Sequence, residues 1–226
     1  MRILGVFEKS ERVRHIGHLD IQRAVQRGLR RSRLPVAYSN GFNPHILVSF
    51  ASALSTGAAG LREIMDVKMA QEVTPEEFLT RMNTAMPPEM QLKQARAVDD
   101  RYPALMASLR AGMYEIILRD ETLAQVLIPA IGPMMAQPEI QVPRKTKSGI
   151  RDVDMKPLIY ALRGEGTKIF ATLMLTERES CKPAMIIEGL KRAAGLPEEK
   201  EVRSLVIRTQ LLGEEKDGTL VPLENL

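Results

Sequence analysis

At 226 residues, with 44% hydrophobic and 27% charged side chains and a net charge of only +4, the chain has the composition of an ordinary soluble protein of one large or two small domains. No apolar run approaches the ~20 residues of a membrane span, and the first ten residues are too short and too charged for a signal peptide. The single cysteine, Cys181, excludes a zinc site built from thiolates or an iron–sulfur cluster held by this chain alone, and it suits a reducing, cytoplasmic setting.

The first predicted element is a strand through MRILGVFEK, with Ile3, Val6 and Phe7 as its apolar residues. Gly17 to Ser32 reads as a helix, because Ile21, Ala24, Val25, Gly28 and Leu29 recur at helical spacing while arginines occupy the other faces. Pro35 ends it. Strands are expected at Ile46–Phe50 and Ile64–Met69. A second helix starts at Thr74, which combines an N-cap threonine, a proline at the first helical position and Glu77 three residues on. Pro87-Pro88 stops it, and Met90–Val98 reads as a closing strand.

The same pattern recurs after Arg110. Gly112–Arg119 reads as a strand, Thr122–Ile131 as a helix weakened by Pro129 and Pro133, and Glu139–Pro143 as a strand. A polar basic loop follows, with Arg144, Lys145, Lys147 and Arg151. Leu158–Leu162 and Lys168–Leu175 flank a glycine turn as a hairpin. Pro183–Ala194 is a helix closed by Gly195, Glu201–Leu212 is a strand, and Asp217-Gly218 suggests a final small hairpin. The expected fold is α+β, with two tandem ferredoxin-like βαββαβ units and antiparallel sheets, one over 1–100 and one over 110–226.

Charge is unevenly spread. Met1–Arg33 carries eight arginines and Lys9 against Glu8, Glu11 and Asp20, a surplus of six, so the rest of the chain sums to −2. Arg23, Arg27, Arg30 and Arg31 lie about one helical turn apart, and the guanidinium fork suits phosphate. Stacking candidates are few: Tyr38 and Phe42, with no tryptophan in the chain. All three histidines, His15, His18 and His45, fall within the first 46 residues. His18, Asp20 and His45 are candidates for proton transfer near neutral pH. A metal site from these three with His15 is an alternative, although neither a metal nor a cofactor is the leading expectation. YSNGFNPH, residues 38–45, combines two turn signals with an aromatic and a histidine, in which Asn43 can bond its own backbone and Gly41 permits positive φ. Ser39, Phe42, Asn43 and His45 are the loop residues expected to bind.

These residues carry a resemblance. The stretch from Phe7 to Glu63 resembles an uncharacterised bacterial family whose members are encoded beside, or fused to, a radical SAM protein. The shared pattern falls on Phe7 and Lys9, His18-Leu19-Asp20, Arg23, Arg30-Arg31, Leu34-Pro35, Tyr38-Ser39, Gly41–His45 and Ser49-Phe50, with VDMKPLI at Val153–Ile159 further on. Gly17 stands where the family has serine, Ile46 where it has proline, and a usual serine before Glu63 is missing. The resemblance implies a radical SAM partner and a genomic setting with RNA metabolism. Tandem ferredoxin-like units with a histidine and arginines on the first helix are also similar to RAMP-type RNA-processing proteins, at the level of fold alone.

The leading expectation is an RNA-binding or RNA-modification accessory factor, non-catalytic, using the basic helix and the GFNPH loop, with a radical SAM partner and no membrane association. The alternatives are a protein adaptor for that partner and a histidine-dependent RNA-processing enzyme.

Overall fold

A computed structural model describes residues 1–146 and 149–226. The chain is a mixed α+β protein built on a large, mostly antiparallel sheet. Its contacts divide it into two units, Met1–Leu109 with Gln210–Leu226, and Arg110–Thr209.

In the first unit, β1 (Arg2–Lys9) is followed by α1 (His18–Ser32), β2 (Val48–Phe50), β3 (Ala58–Lys68), α2 (Pro75–Ala85), β4 (Leu92–Val98) and the single turn α3 (Leu105–Ser108). The strands lie in the order β4-β1-β3, with β2 on β3. β1 pairs antiparallel with both neighbours, Ile3 facing Val67 and Ala97, and β2 pairs with β3 from Val48↔Val67 to Phe50↔Met65. Ile3, Phe7, Met65 and Val67 from the sheet close over Ile21, Val25 and Leu29 of α1 and Phe78 and Met82 of α2. α1 approaches the end of α2 closely: a Cβ on Gly28 would meet Met86 Sδ at 2.4 Å.

The start of α2 follows the expected cap, Thr74 Oγ1 accepting the Glu77 N–H at 3.1 Å with Pro75 at the first position. At their C-termini the two helices hold each other. Arg31 donates to Ala85 O through Nε at 3.2 Å and Nη2 at 2.6 Å. Arg81 donates to Ser32 O at 2.9 Å and to Arg33 O. These arginines satisfy carbonyls that a helix end otherwise leaves open.

The second unit contains most of β5 (Leu109–Leu118), then α4 (Glu121–Leu127), α5 (Ile131–Ala136), β6 (Gln141–Thr146), β7 (Gly149–Asp154), β8 (Ile159–Glu165), β9 (Lys168–Met174), α6 (Pro183–Ala193) and β10 (Ser204–Glu214) as far as Thr209. The strand order is β10-β5-β9-β8. Tyr114, Ile116 and Leu118 of β5 and Ile169, Ala171 and Leu173 of β9 build its core with Ile186 and Leu190 of α6.

Three elements differ from the sequence reading. The helix expected over Thr122–Ile131 is two helices, because Pro129 has no N–H to continue the ladder and Asp120 caps only the first, accepting Leu123 N–H at 3.1 Å. The strand expected from Ile64 begins at Ala58. The basic loop is instead a two-stranded ribbon, β6 against β7, with Arg144 directly opposite Arg151. Lys147 lies outside the described residues.

The sequence reading assigns the tail to the second half, whereas its contacts join it to the first. β10 passes into the first unit at Gln210 and pairs with β11 (Leu220–Pro222). Leu223 is fully buried, and the buried Glu224 takes Arg62 Nε at 2.7 Å and Gln210 Nε2 at 2.8 Å.

Candidate functional site

The sequence motifs fall at two ends of the first unit. At one end lies the mouth of α1. Gly17 caps the helix with backbone alone. The approach to it, residues 10–17, is held at its start by Ser10 N–H donating to Glu89 O at 3.0 Å and further on by Arg14 O, which accepts both the Lys9 ammonium at 2.8 Å and the Gly57 N–H at 2.8 Å. Lys9 is fully buried, although it is a charged residue at the end of its strand. Glu63, opposite Phe7, is also buried, and its carboxylate folds over Gly60, the residue opposite Lys9. A Cβ at Gly60 would lie 2.6 Å from Glu63 Oε1, so glycine makes room for the acid there.

His18 stands edge-on to Phe50, ring centres 5.5 Å apart, and Phe50 in turn meets Phe7 at 6.0 Å. His18 Nε2 lies 3.0 Å from Gln22 Nε2. Asp20 is exposed and pairs with Arg23 at 3.0 Å, and His15 is exposed.

At the other end, residues 38–46 form a closed loop. Tyr38 bridges Ile46, and Ser39 N–H donates to His45 O at 2.9 Å. The Ser39 hydroxyl accepts the His45 N–H at 3.1 Å and lies 2.8 Å from His45 Nδ1. Gly41 has φ +118°, the region its lack of a side chain permits. Phe42 at the tip is fully exposed, Tyr38 is half exposed, and Asn43 faces solvent. Behind His45 a cavity of about 340 Å³ is lined by Arg2, Ser49, Asp66 and Lys68. Arg2 and Asp66 form a buried pair, with Arg2 Nε 3.1 Å from each Asp66 oxygen. That hydrogen bond raises the Arg2 pKa above its usual value, outweighing burial.

The structure does not bring His18 and His45 together. His18 packs against Phe50, whereas His45 lies five residues earlier in the run into β2, a span of at most about 16 Å, and lines the cavity at its start. Among the described residues no three His, Cys, Asp or Glu side chains gather where one ion could be held.

The arginines of α1 also separate. Arg23 is paired with Asp20 and Arg31 with Ala85 O. Arg27 and Arg30 are exposed and have no partner among the described residues. Arg27 and Arg31 line a shallow cavity of about 380 Å³ with Ala85, Met86 and Pro87. Reading helical spacing alone missed the buried charges Lys9 and Glu63. The signal available for Lys9 was a lysine following the apolar run Ile3–Phe7, within a shared family pattern.

Residues 2–183 match a protein-family model described as an uncharacterized protein conserved in bacteria, DUF2344. The chain belongs to this family. No curated protein matches it. The DUF2344 span takes in both ends of the first unit and reaches the first residue of α6. No helix among the described residues is long and apolar enough to cross a membrane.

Proposed function

We propose that this DUF2344 protein is an RNA-binding accessory factor, working with a radical SAM protein in the cytoplasm. The observation that carries the reading is the pair Arg27 and Arg30. On a helix whose other arginines are engaged, these two cations stand in solvent with no ion pair to an acid among the described residues. Open guanidinium groups on one face suit phosphates of a nucleic-acid backbone. The loop adds two exposed aromatic faces, Tyr38 and Phe42, on which bases can stack. Each unit is, in this reading, a ferredoxin-like module. Setting aside the separate β6–β7 ribbon, the main-sheet strands of each unit fall in the order fourth, first, third, second: β4-β1-β3 with β2 on β3, and β10-β5-β9-β8. The radical SAM partner follows from the family resemblance, and the reducing compartment from the lone, buried Cys181.

Binding of total tRNA and rRNA measured against salt concentration tests this. Affinity is expected to fall with salt, and replacing both Arg27 and Arg30 by alanine is expected to lower the log–log slope by about 1–2, since each phosphate contact contributes ~0.7–0.9. Absence of salt-dependent binding near ~100 mM would sink the reading.

One observation favours a second reading, an adaptor. The fully exposed Phe42 at the tip of the closed loop is an apolar anchor suited to a protein pocket. Co-purification with the radical SAM partner, lost in Phe42→Ala while RNA binding persists, would select it. For an enzymatic reading, the separation of His18 from His45 means that the two would act at different sites.

A further inference from the structure

We infer that the cavity behind His45 is a phosphomonoester site. The inference rests on the reading of the GFNPH loop as a binding surface and names what that surface holds. Three residues able to donate hydrogen bonds line the cavity from three places in the first unit: His45 from the loop, Ser49 from β2 and Lys68 from the end of β3. Ser49 and Lys68 are exposed and have no side-chain hydrogen bond or ion pair among the described residues.

Among the described residues, the one carboxylate lining the cavity is already engaged. Asp66 is 6% exposed, and its two oxygens face Arg2 Nε at 3.1 Å each. Asp100, nearby, is held by the Met1 amine at 3.1 Å. That amine, with help from Lys68 and Arg2, lowers the Asp100 pKa. Arg2 and Lys68 against Asp66 therefore leave the cavity a net positive charge before His45 is counted.

The Ser39 contact shapes the histidine. The hydroxyl accepts the His45 backbone N–H, so its own proton is available to Nδ1. That arrangement favours the ring proton on Nε2, presenting a donor away from the loop. A terminal phosphate, carrying roughly −1.5 to −2 charge and three acceptor oxygens, matches one ammonium, one imidazole N–H and one hydroxyl. A backbone phosphodiester offers a single charge and two free oxygens. The volume, about 340 Å³, is at the small end of ligand cavities and fits one nucleotide. The source is either the phosphorylated end of an RNA or a free mononucleotide.

The test follows the His45 ring resonances and the affinities of four probes: inorganic phosphate, a 5′-phosphorylated oligoribonucleotide, the same oligonucleotide without its phosphate, and a nucleoside monophosphate. Inorganic phosphate is expected to shift the His45 signals. Removing the terminal phosphate should weaken oligonucleotide binding by about tenfold or more, as for loss of charge-assisted hydrogen bonds. Lys68→Ala and Ser49→Ala, both at exposed positions, should erase that difference without altering thermal unfolding. A monophosphate that binds as tightly as the phosphorylated oligonucleotide upholds the site, assigns it to free nucleotide and removes the RNA reading. Equal binding of the two oligonucleotides, with His45 unmoved by phosphate, overturns the site while leaving the RNA reading intact. No response to any probe overturns both.

Discussion

Ser39 and His45 close the GFNPH loop on each other through three contacts: a backbone pair at 2.9 Å, a backbone-to-hydroxyl bond at 3.1 Å and a hydroxyl-to-ring contact at 2.8 Å. A single hydroxyl thus sets both the loop's closure and the orientation of the imidazole. Ser39→Ala is expected to cost about 1 kcal/mol or less in stability, the net value of an exposed hydrogen bond. It should shift the His45 ring nitrogen signals toward a mixed tautomer population. Unchanged ring nitrogen shifts would show that Ser39 does not orient the ring.

The arginines of the two helices divide into structural and open sets. Arg31 and Arg81 engage the last carbonyls of the opposite helix, so alanine at either is expected to destabilise by about 1–3 kcal/mol. Arg27→Ala and Arg30→Ala, at exposed positions without partners among the described residues, should stay within about 0.5 kcal/mol of the parent. Chemical denaturation of the four single variants distinguishes these cases.

Lys9 is expected to be a stability residue of the α1 mouth. Its ammonium is fully buried and bonds Arg14 O at 2.8 Å. Lys9→Ala removes that donor and leaves a void, for an expected loss of about 2 kcal/mol or more. Hydrogen exchange should show residues 10–17 opening first. Unchanged protection there would mean that the backbone bonds to Gly57 and Glu89 hold the turn without Lys9.

The thiol of Cys181 is pushed up to about 12 by burial, with Arg144 pulling weakly the other way. A raised pKa favours the protonated form in the folded state. This contribution is therefore complete below the ordinary thiol value near 9 and is lost as pH rises from there toward about 12. The expected slope in that window is up to about 1.4 kcal/mol per pH unit. Cys181→Ala should flatten the thiol's part of the alkaline decline, and the native thiol should resist disulfide reagents at neutral pH.

Local grammar was readable from the sequence where the cause is local. Thr74, Pro75 and Glu77 specify a helix start by their own chemistry, and Asp217-Gly218 specifies a turn. The charge of Arg31 was equally visible. Its partner was not, because Ala85 O reaches it only through a helix crossing that depends on Gly28. The β6–β7 ribbon escaped because its distal residues are mostly charged or polar, with Ile150 the single large apolar side chain among those described, and show no apolar alternation. The separation of His18 from His45 is a matter of register: both belong to one linear motif, yet the run into β2 carries one toward Phe50 and leaves the other beside Lys68.

The return of the tail to the first unit imposes an order on biosynthesis. Arg62 leaves the ribosome 162 residues before Glu224, with the whole second unit emerging between them. At typical elongation rates that interval is roughly 8–30 s. During it, Arg62 lacks its acid and the residues that pack against Leu223 wait uncovered. A nascent chain halted at Thr209 should therefore present the first unit incomplete, a natural client for a chaperone. Folding of that unit, with contacts so distant along the chain, should be slow for its size.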